Sequence, residues 1–125
     1  MRLLWCWRCR MHLPMLDEDE WAVVVAAHRV SHDDPVAASS ILADEGARRG
    51  LLPPRPVPPD AGLVRRRFWH LTAGYEMFTG AEETNPNAIW HHRASLYGPP
   101  CPDCGKPLRT PQARLCAACG WGMGG

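Results

Sequence analysis

The sequence predicts a mainly α fold, with a small helical core in the middle of the chain and a cysteine-rich segment at each end. In the middle, helix start signals are followed by apolar residues at helical spacing. All six cysteines lie outside that part, within residues 6–9 and 101–119. Five prolines within residues 53–59 form a stiff connector between two of the helical stretches.

The composition limits the classes of protein that this chain can belong to. Its 125 residues carry 14 basic and 13 acidic side chains, and this even balance argues against a strongly electrostatic nucleic-acid binder. No apolar run approaches the roughly 20 residues that span a bilayer, and the N-terminus lacks the apolar stretch and cleavage site of a signal peptide. We therefore expect a cytoplasmic monomer or dimer without a membrane partner.

The first two helices are predicted from their start signals. Asp17 caps the first helix, and Glu20 occupies the capping-box position three residues later. Asp34 followed by Pro35 starts the second helix, which we expect to end at Gly50.

The third helix has the clearest apolar periodicity. It is expected to run from about Asp60 to Thr79, and its apolar stripe consists of Val64, Phe68, Leu71, Tyr75 and Phe78. The predicted core combines the last four of these residues with Trp21 and Val25 of the first helix. His70 lies opposite the stripe, so we expect it to point away from the core.

The last quarter of the chain contains two Cys-x-x-Cys pairs. They are Cys101 with Cys104 and Cys116 with Cys119, and each pair is followed by glycine. A sulfur-preferring metal such as Zn²⁺ needs four thiolates in a tetrahedron, and two such pairs at this spacing can supply them. Two disulfides are the alternative, which a chain without a secretion signal makes less favourable. The spacing predicts one structural zinc ion.

The segment CPDCGKPLRTPQARLCAACG resembles the C-terminal zinc ribbon of many small bacterial proteins. The resemblance implies structural zinc held by Cys101, Cys104, Cys116 and Cys119, and implies no particular activity. NPNAIWHHR and YGPPC before the ribbon resemble a group of small, functionally uncharacterised bacterial zinc-ribbon proteins. We therefore predict a helical domain over residues 1–98, with an N-terminal Cys-x-x-Cys knuckle, and a zinc ribbon of short β-hairpins over residues 99–125.

Cys6 and Cys9 at the N-terminus form a third Cys-x-x-Cys pair, which resembles half of a second metal site. We expect no strands around this pair. We predict that it binds a second Zn²⁺ together with His92, and that the fourth ligand is either His12 or His91. The two alternatives are free thiols and a site completed by the same pair from a second chain.

The choice of His92 depends on a short helix predicted between Asn85 or Asn87 and Gly98. On a regular helix His91 and His92 differ by about 100° in direction, so both would rarely bind one metal. His92 lies toward the apolar side of that helix, which makes it the better candidate.

No catalytic motif is recognised in the sequence, so the predicted function is a non-catalytic, zinc-binding protein-interaction module of the adaptor or toxin-neutralising immunity type. One alternative is a nucleic-acid-binding zinc ribbon that uses Lys106, Arg109 and Arg114 with Trp121. A second is a metal-dependent, nuclease-like enzyme that uses His91 and His92.

Overall fold

A computed structural model describes residues 1–122, so the last three residues of the predicted ribbon lie outside the described part. Within these residues the chain forms an N-terminal hairpin, five helices and one short 3-10 turn. In chain order they are β1 (Arg2–Cys6), β2 (Met11–Met15), α1 (Glu18–Ser31), α2 (Pro35–Arg48), α3 (Leu63–Arg67), α4 (Trp69–Thr79), α5 (Pro86–Ile89) and the 3-10 turn (Ala94–Leu96).

The N-terminal hairpin corrects the expectation that no strands surround Cys6 and Cys9. β1 and β2 pair antiparallel, and the register places Cys6 opposite Met11. Two short strands with proline in one of them give little sequence signal, but Pro14 is tolerated because each strand of a two-stranded sheet is an edge strand. Arg10 in the connecting turn has a positive φ of 55°. The hairpin therefore presents both cysteines at its turn.

The predicted starts of the first two helices are confirmed. The Asp17 side chain accepts a hydrogen bond from the Glu20 backbone N–H at 2.8 Å, and the Glu20 side chain accepts one from the Asp17 N–H at 2.9 Å. Asp34 caps α2 by accepting from the Ala37 N–H at 3.0 Å. These caps satisfy backbone donors that the first helical turns leave unpaired.

The predicted third helix is two helices, because the backbone at Phe68 is not helical (φ −105°, ψ 9°). The break changes the face that each half presents, so Val64 on α3 is 70% exposed instead of buried. His70 is also corrected, since it is only 3% exposed and its Nε2 lies 2.9 Å from the Ser39 hydroxyl of α2. α4 is covered on nearly every side, which is why a position opposite its apolar stripe is also buried.

The helical core lies where α1, α2 and α4 pack together. Three of the predicted core residues, Leu71, Tyr75 and Phe78, are buried there, while Trp21 and Phe68 are half-buried at its margin. Val25 is half-buried and its neighbour Val24 takes the core position. The other buried members of the cluster are Leu16, Ala27, Ala38, Leu42, Met77 and Ile89. None of the helices in the described part of the chain is long and apolar enough to cross a membrane.

The predicted fourth helix is much shorter than expected, because α5 ends at Ile89. The chain then turns and runs beside the end of the hairpin. The Leu16 N–H donates to the His92 carbonyl, and the Ala94 N–H donates to the Leu16 carbonyl, both at 2.9 Å. These two bonds attach the histidine pair to the hairpin.

The predicted β-hairpins of the ribbon are not present as strands among the residues that the structure describes there. Within residues 98–122 the extended pairing is a single bridge between Pro100 and Pro107. Proline cannot donate to a strand ladder, and the segment's prolines at 99, 100, 102, 107 and 111 limit regular pairing. The mainly α description is therefore only partly right, because the segment consists largely of turns and the observed hairpin is N-terminal.

Candidate metal centres

The four cysteines of the last quarter converge on one point, and we call them the four-cysteine cluster (Cys101, Cys104, Cys116, Cys119). Their sulfurs all lie within 4.8 Å of one another. The Cys101 and Cys119 sulfurs are 3.7 Å apart, and the Cys104 and Cys116 sulfurs are 3.5 Å apart. A zinc tetrahedron with Zn–S bonds of about 2.3 Å has edges of about 3.8 Å, whereas a disulfide needs about 2.05 Å. The spacing fits zinc and excludes disulfides within the cluster.

Two similar turns build this cluster. In the first, the Gly105 N–H donates to the Cys101 carbonyl at 2.9 Å, and in the second the Gly120 N–H donates to the Cys116 carbonyl at the same distance. Both glycines have a positive φ, 79° and 83°, which other residues adopt only with strain. Each turn thus presents its two sulfurs to the same side.

The interior of this segment is small. Its buried hydrophobic cluster in the described part of the segment consists of Cys101, Leu108 and Cys116, and Trp7 of the hairpin turn packs against them. The indole N–H of Trp7 donates to the Pro107 carbonyl at 2.9 Å. The N-terminal turn therefore covers one side of the four-cysteine cluster.

A second group, which we call the mixed cluster, consists of Cys6, Cys9, His91 and His92. One ligand atom from each lies within 4.8 Å of the others. The Cys6 sulfur is 3.4 Å from Nδ1 of His91, and the Cys9 sulfur is 3.4 Å from Nε2 of His92. Zn–S bonds of about 2.3 Å and Zn–N bonds of about 2.0–2.1 Å in a tetrahedron imply S···N distances of about 3.5 Å. These four residues therefore also fit a zinc ion.

The structure brings His91 and His92 together at one site, an arrangement that the predicted regular helix made unfavourable. Both residues follow the end of α5, so the 100° spacing of a regular helix does not apply to their side chains. His12, the other candidate for the fourth position, packs edge-on against Trp5 with ring centroids 5.3 Å apart and is not part of the cluster.

Burial controls the protonation of the mixed cluster. It raises the pKa of the Cys9 thiol to about 11 and lowers the pKa of His92 to about 4. The imidazole is therefore neutral near pH 7, as a metal ligand must be, whereas the thiol ionises only when a cation stabilises its thiolate. In the other cluster, the backbone N–H of Cys119 lowers the pKa of Cys116 to about 7.

Two tyrosines that were not predicted to lie at a metal site, Tyr97 and Tyr75, are close to the mixed cluster. The Tyr97 hydroxyl donates to the His91 carbonyl at 2.7 Å and lies 3.5 Å from the Cys6 sulfur. The Tyr75 hydroxyl donates to the Pro14 carbonyl at 2.7 Å, and its ring lies 5.6 Å from that of His92. Partners of this kind orient metal ligands in many proteins. The position of Tyr97 shortly after the histidine pair was the one available sequence signal.

Comparisons of the chain with protein-family profiles, curated proteins and solved structures found no match. The ribbon resemblance and the domain division at residue 98 therefore stay predictions.

Proposed function

We propose that this chain is a non-catalytic zinc protein, in which two structural zinc ions hold a small protein-interaction module in its folded form. The observation that carries the proposal is the presence of two separate sets of four ligand atoms, each spaced for a tetrahedron. Structural zinc sites have four protein ligands, whereas catalytic sites have three and leave one position for water or substrate. Both clusters match the first kind.

The two ions would stabilise different parts of the chain. Zinc in the mixed cluster would join the hairpin turn to the segment after α5, and zinc in the four-cysteine cluster would close the last quarter. That last segment buries few apolar side chains. We expect metal binding to supply much of its folding free energy, as in other small zinc modules.

The interaction role takes the form of an adaptor or of a toxin-neutralising immunity protein acting in the cytoplasm. None of the six cysteines forms a disulfide bond, which is compatible with a reducing compartment. Trp90 and Leu96 beside the mixed cluster are each 41% exposed, and aromatic residues are enriched where proteins bind one another.

Nucleic-acid binding is a second candidate, and the distribution of charge favours it. Residues 1–16 and 98–125 carry six basic side chains and one acidic side chain. The nuclease-like alternative has less support, because both imidazoles face thiols in the mixed cluster and, as zinc ligands, would not be free to activate water.

Native mass spectrometry of the full chain, purified without chelators, tests the proposal. We expect two zinc ions per chain, with Cys104→Ser and Cys9→Ser each removing a different one. A chain that folds with fewer than two ions contradicts the proposal, as does a dimer with three ions per two chains. Steeply salt-dependent retention on DNA would favour the nucleic-acid candidate.

A further inference from the structure

An open groove lies beside His91 of the mixed cluster and reaches the last quarter of the chain at Arg109 and Thr110. Its volume is about 510 Å³. The residues that matter for its chemistry are Trp7, Arg8, Trp90, Leu96, Tyr97 and Arg109, and no carboxylate of residues 1–122 lines it. The hairpin turn, the segment after α5 and the last quarter of the chain each contribute residues to this surface.

The groove presents two arginine side chains that form no ion pair with any residue in the described part of the chain. Arg8 and Arg109 are exposed, and within residues 1–122 neither lies within 4.0 Å of a carboxylate oxygen. Elsewhere, Arg55 and Arg93 pair with glutamates. The segments that form the hairpin and the last quarter carry six basic side chains against one acidic, whereas residues 17–97 carry eight against twelve. An anionic partner would therefore be attracted to this side.

Two of the groove's aromatic residues, Trp7 and Tyr97, already have partners within the protein for their polar atoms. The Trp7 indole N–H donates to the Pro107 carbonyl, and the Tyr97 hydroxyl donates to the His91 carbonyl. The apolar surface that the groove offers a partner is therefore formed mainly by the exposed parts of Trp90 and Leu96. The Arg109 guanidinium lies over the Trp7 ring, 5.1 Å from its centroid. Stacking of this kind orients a guanidinium for paired hydrogen bonds to a carboxylate.

We infer that this groove binds an acidic peptide segment of a partner protein, with carboxylates on Arg8 and Arg109 and an apolar side chain against Trp90 and Leu96. The inference rests on the proposed interaction function and specifies the chemistry of the partner. It combines two kinds of contact that dominate binding energy in protein interfaces, arginine pairs and aromatic contacts.

Single-stranded nucleic acid fits the same surface less well. Base stacking needs free aromatic faces, but the Arg109 guanidinium lies over the Trp7 ring. The surplus of acidic residues within 17–97 would also repel a long polyanion.

Selection from a phage library of random linear peptides tests the inference, with the zinc-loaded full chain as bait. Selected peptides are expected to combine Asp or Glu with aromatic or aliphatic residues. A selected peptide is then synthesised, labelled and titrated by fluorescence anisotropy. The double variant Arg8→Glu, Arg109→Glu should weaken its binding by about tenfold or more, because charge-assisted pairs become repulsive. The matched control is Arg29→Glu, Arg48→Glu, which makes the same charge change on α1 and α2 and should leave binding unchanged.

Three results overturn the inference: selected peptides without acidic residues, equal binding by the groove variant, or random single-stranded oligonucleotides binding at Arg8 and Arg109 more tightly than any selected peptide. Zinc content separates this inference from the proposed function. If wild type and both double variants retain two zinc ions while acidic peptides fail to bind, only the groove inference is wrong. If the wild-type chain lacks the second ion, the proposed function itself fails.

Discussion

The sulfur of Cys6 lies 3.4 Å from Nδ1 of His91, although 85 positions of sequence separate the two residues. The Tyr97 hydroxyl lies beside this contact, where it donates to the His91 carbonyl at 2.7 Å. The contact joins the turn of the N-terminal hairpin to the segment after α5, and both border the groove. A ligand change here should therefore affect zinc content and local folding together.

Replacing His91 should remove one zinc ion, whereas replacing His12 should not. His91→Ala leaves the mixed cluster with three protein ligands, but His12 packs against the Trp5 ring and is not one of the residues of the cluster. We expect the zinc content to fall from two ions to one in His91→Ala, together with a lower melting temperature, and to stay at two in His12→Ala. Native mass spectrometry and thermal unfolding measure both effects. The opposite pattern would identify His12 as the ligand.

Two residues of the predicted apolar stripe should differ sharply in their contribution to stability. Leu71 is fully buried in the helical core and Val64 is 70% exposed on α3. Leu71→Ala should lower the free energy of unfolding by about 2–5 kcal/mol, while Val64→Ala should change it by no more than about 0.5 kcal/mol. Urea unfolding in excess zinc measures both values. Similar losses for the two variants would mean that the helix is continuous through Phe68.

Protonation of His70 should weaken the fold at mildly acidic pH. Burial lowers the pKa of this imidazole below its ordinary value of 6.5. As the pH falls below 6.5, the unfolded chain therefore binds a proton that the folded chain does not bind, and the free energy of unfolding decreases; above that pH the group has no such effect. In His70→Gln, the urea midpoint should fall less between pH 7.5 and pH 5.5 than it does in the wild-type protein.

Acid also releases zinc from thiolates, and this loss of zinc lowers the urea midpoint of the wild-type protein and of His70→Gln alike. Comparing the wild-type protein with His70→Gln in excess zinc therefore isolates the effect of His70 protonation on the urea midpoint. Parallel pH profiles for the two proteins would show that His70 titrates normally in the fold.

Local signals in the sequence predicted much of the fold and part of the candidate site. Capping residues at Asp17 and Asp34 placed the starts of α1 and α2, because a cap is decided by a few neighbouring atoms. The grouping of the four cysteines of the last quarter also followed from spacing within one short segment. The choice between His12 and His91 could not be made from the sequence, because it depends on where α5 ends and on the backbone hydrogen bonds that join Leu16 to His92 and Ala94. Such contacts between distant segments leave no periodic signal.

The misjudged burial of His70 and Val64 has the same kind of cause. A stripe predicts which side of an isolated helix is apolar, but α4 is surrounded by neighbours and α3 is separated from it by the break at Phe68. The burial of His70 and the exposure of Val64 are therefore determined by how the helices pack together.

X-ray absorption at the zinc edge tests the two-zinc account most directly, because it identifies the ligand atoms themselves. The two clusters together offer six sulfurs and two nitrogens. The wild-type chain should therefore show an average of three sulfurs at about 2.3 Å and one nitrogen at about 2.0–2.1 Å per zinc ion. Cys9→Ser combined with His92→Ala should give four sulfurs and no nitrogen, from the four-cysteine cluster alone. A wild-type spectrum with four sulfurs and no nitrogen would contradict zinc binding by Cys6, Cys9, His91 and His92.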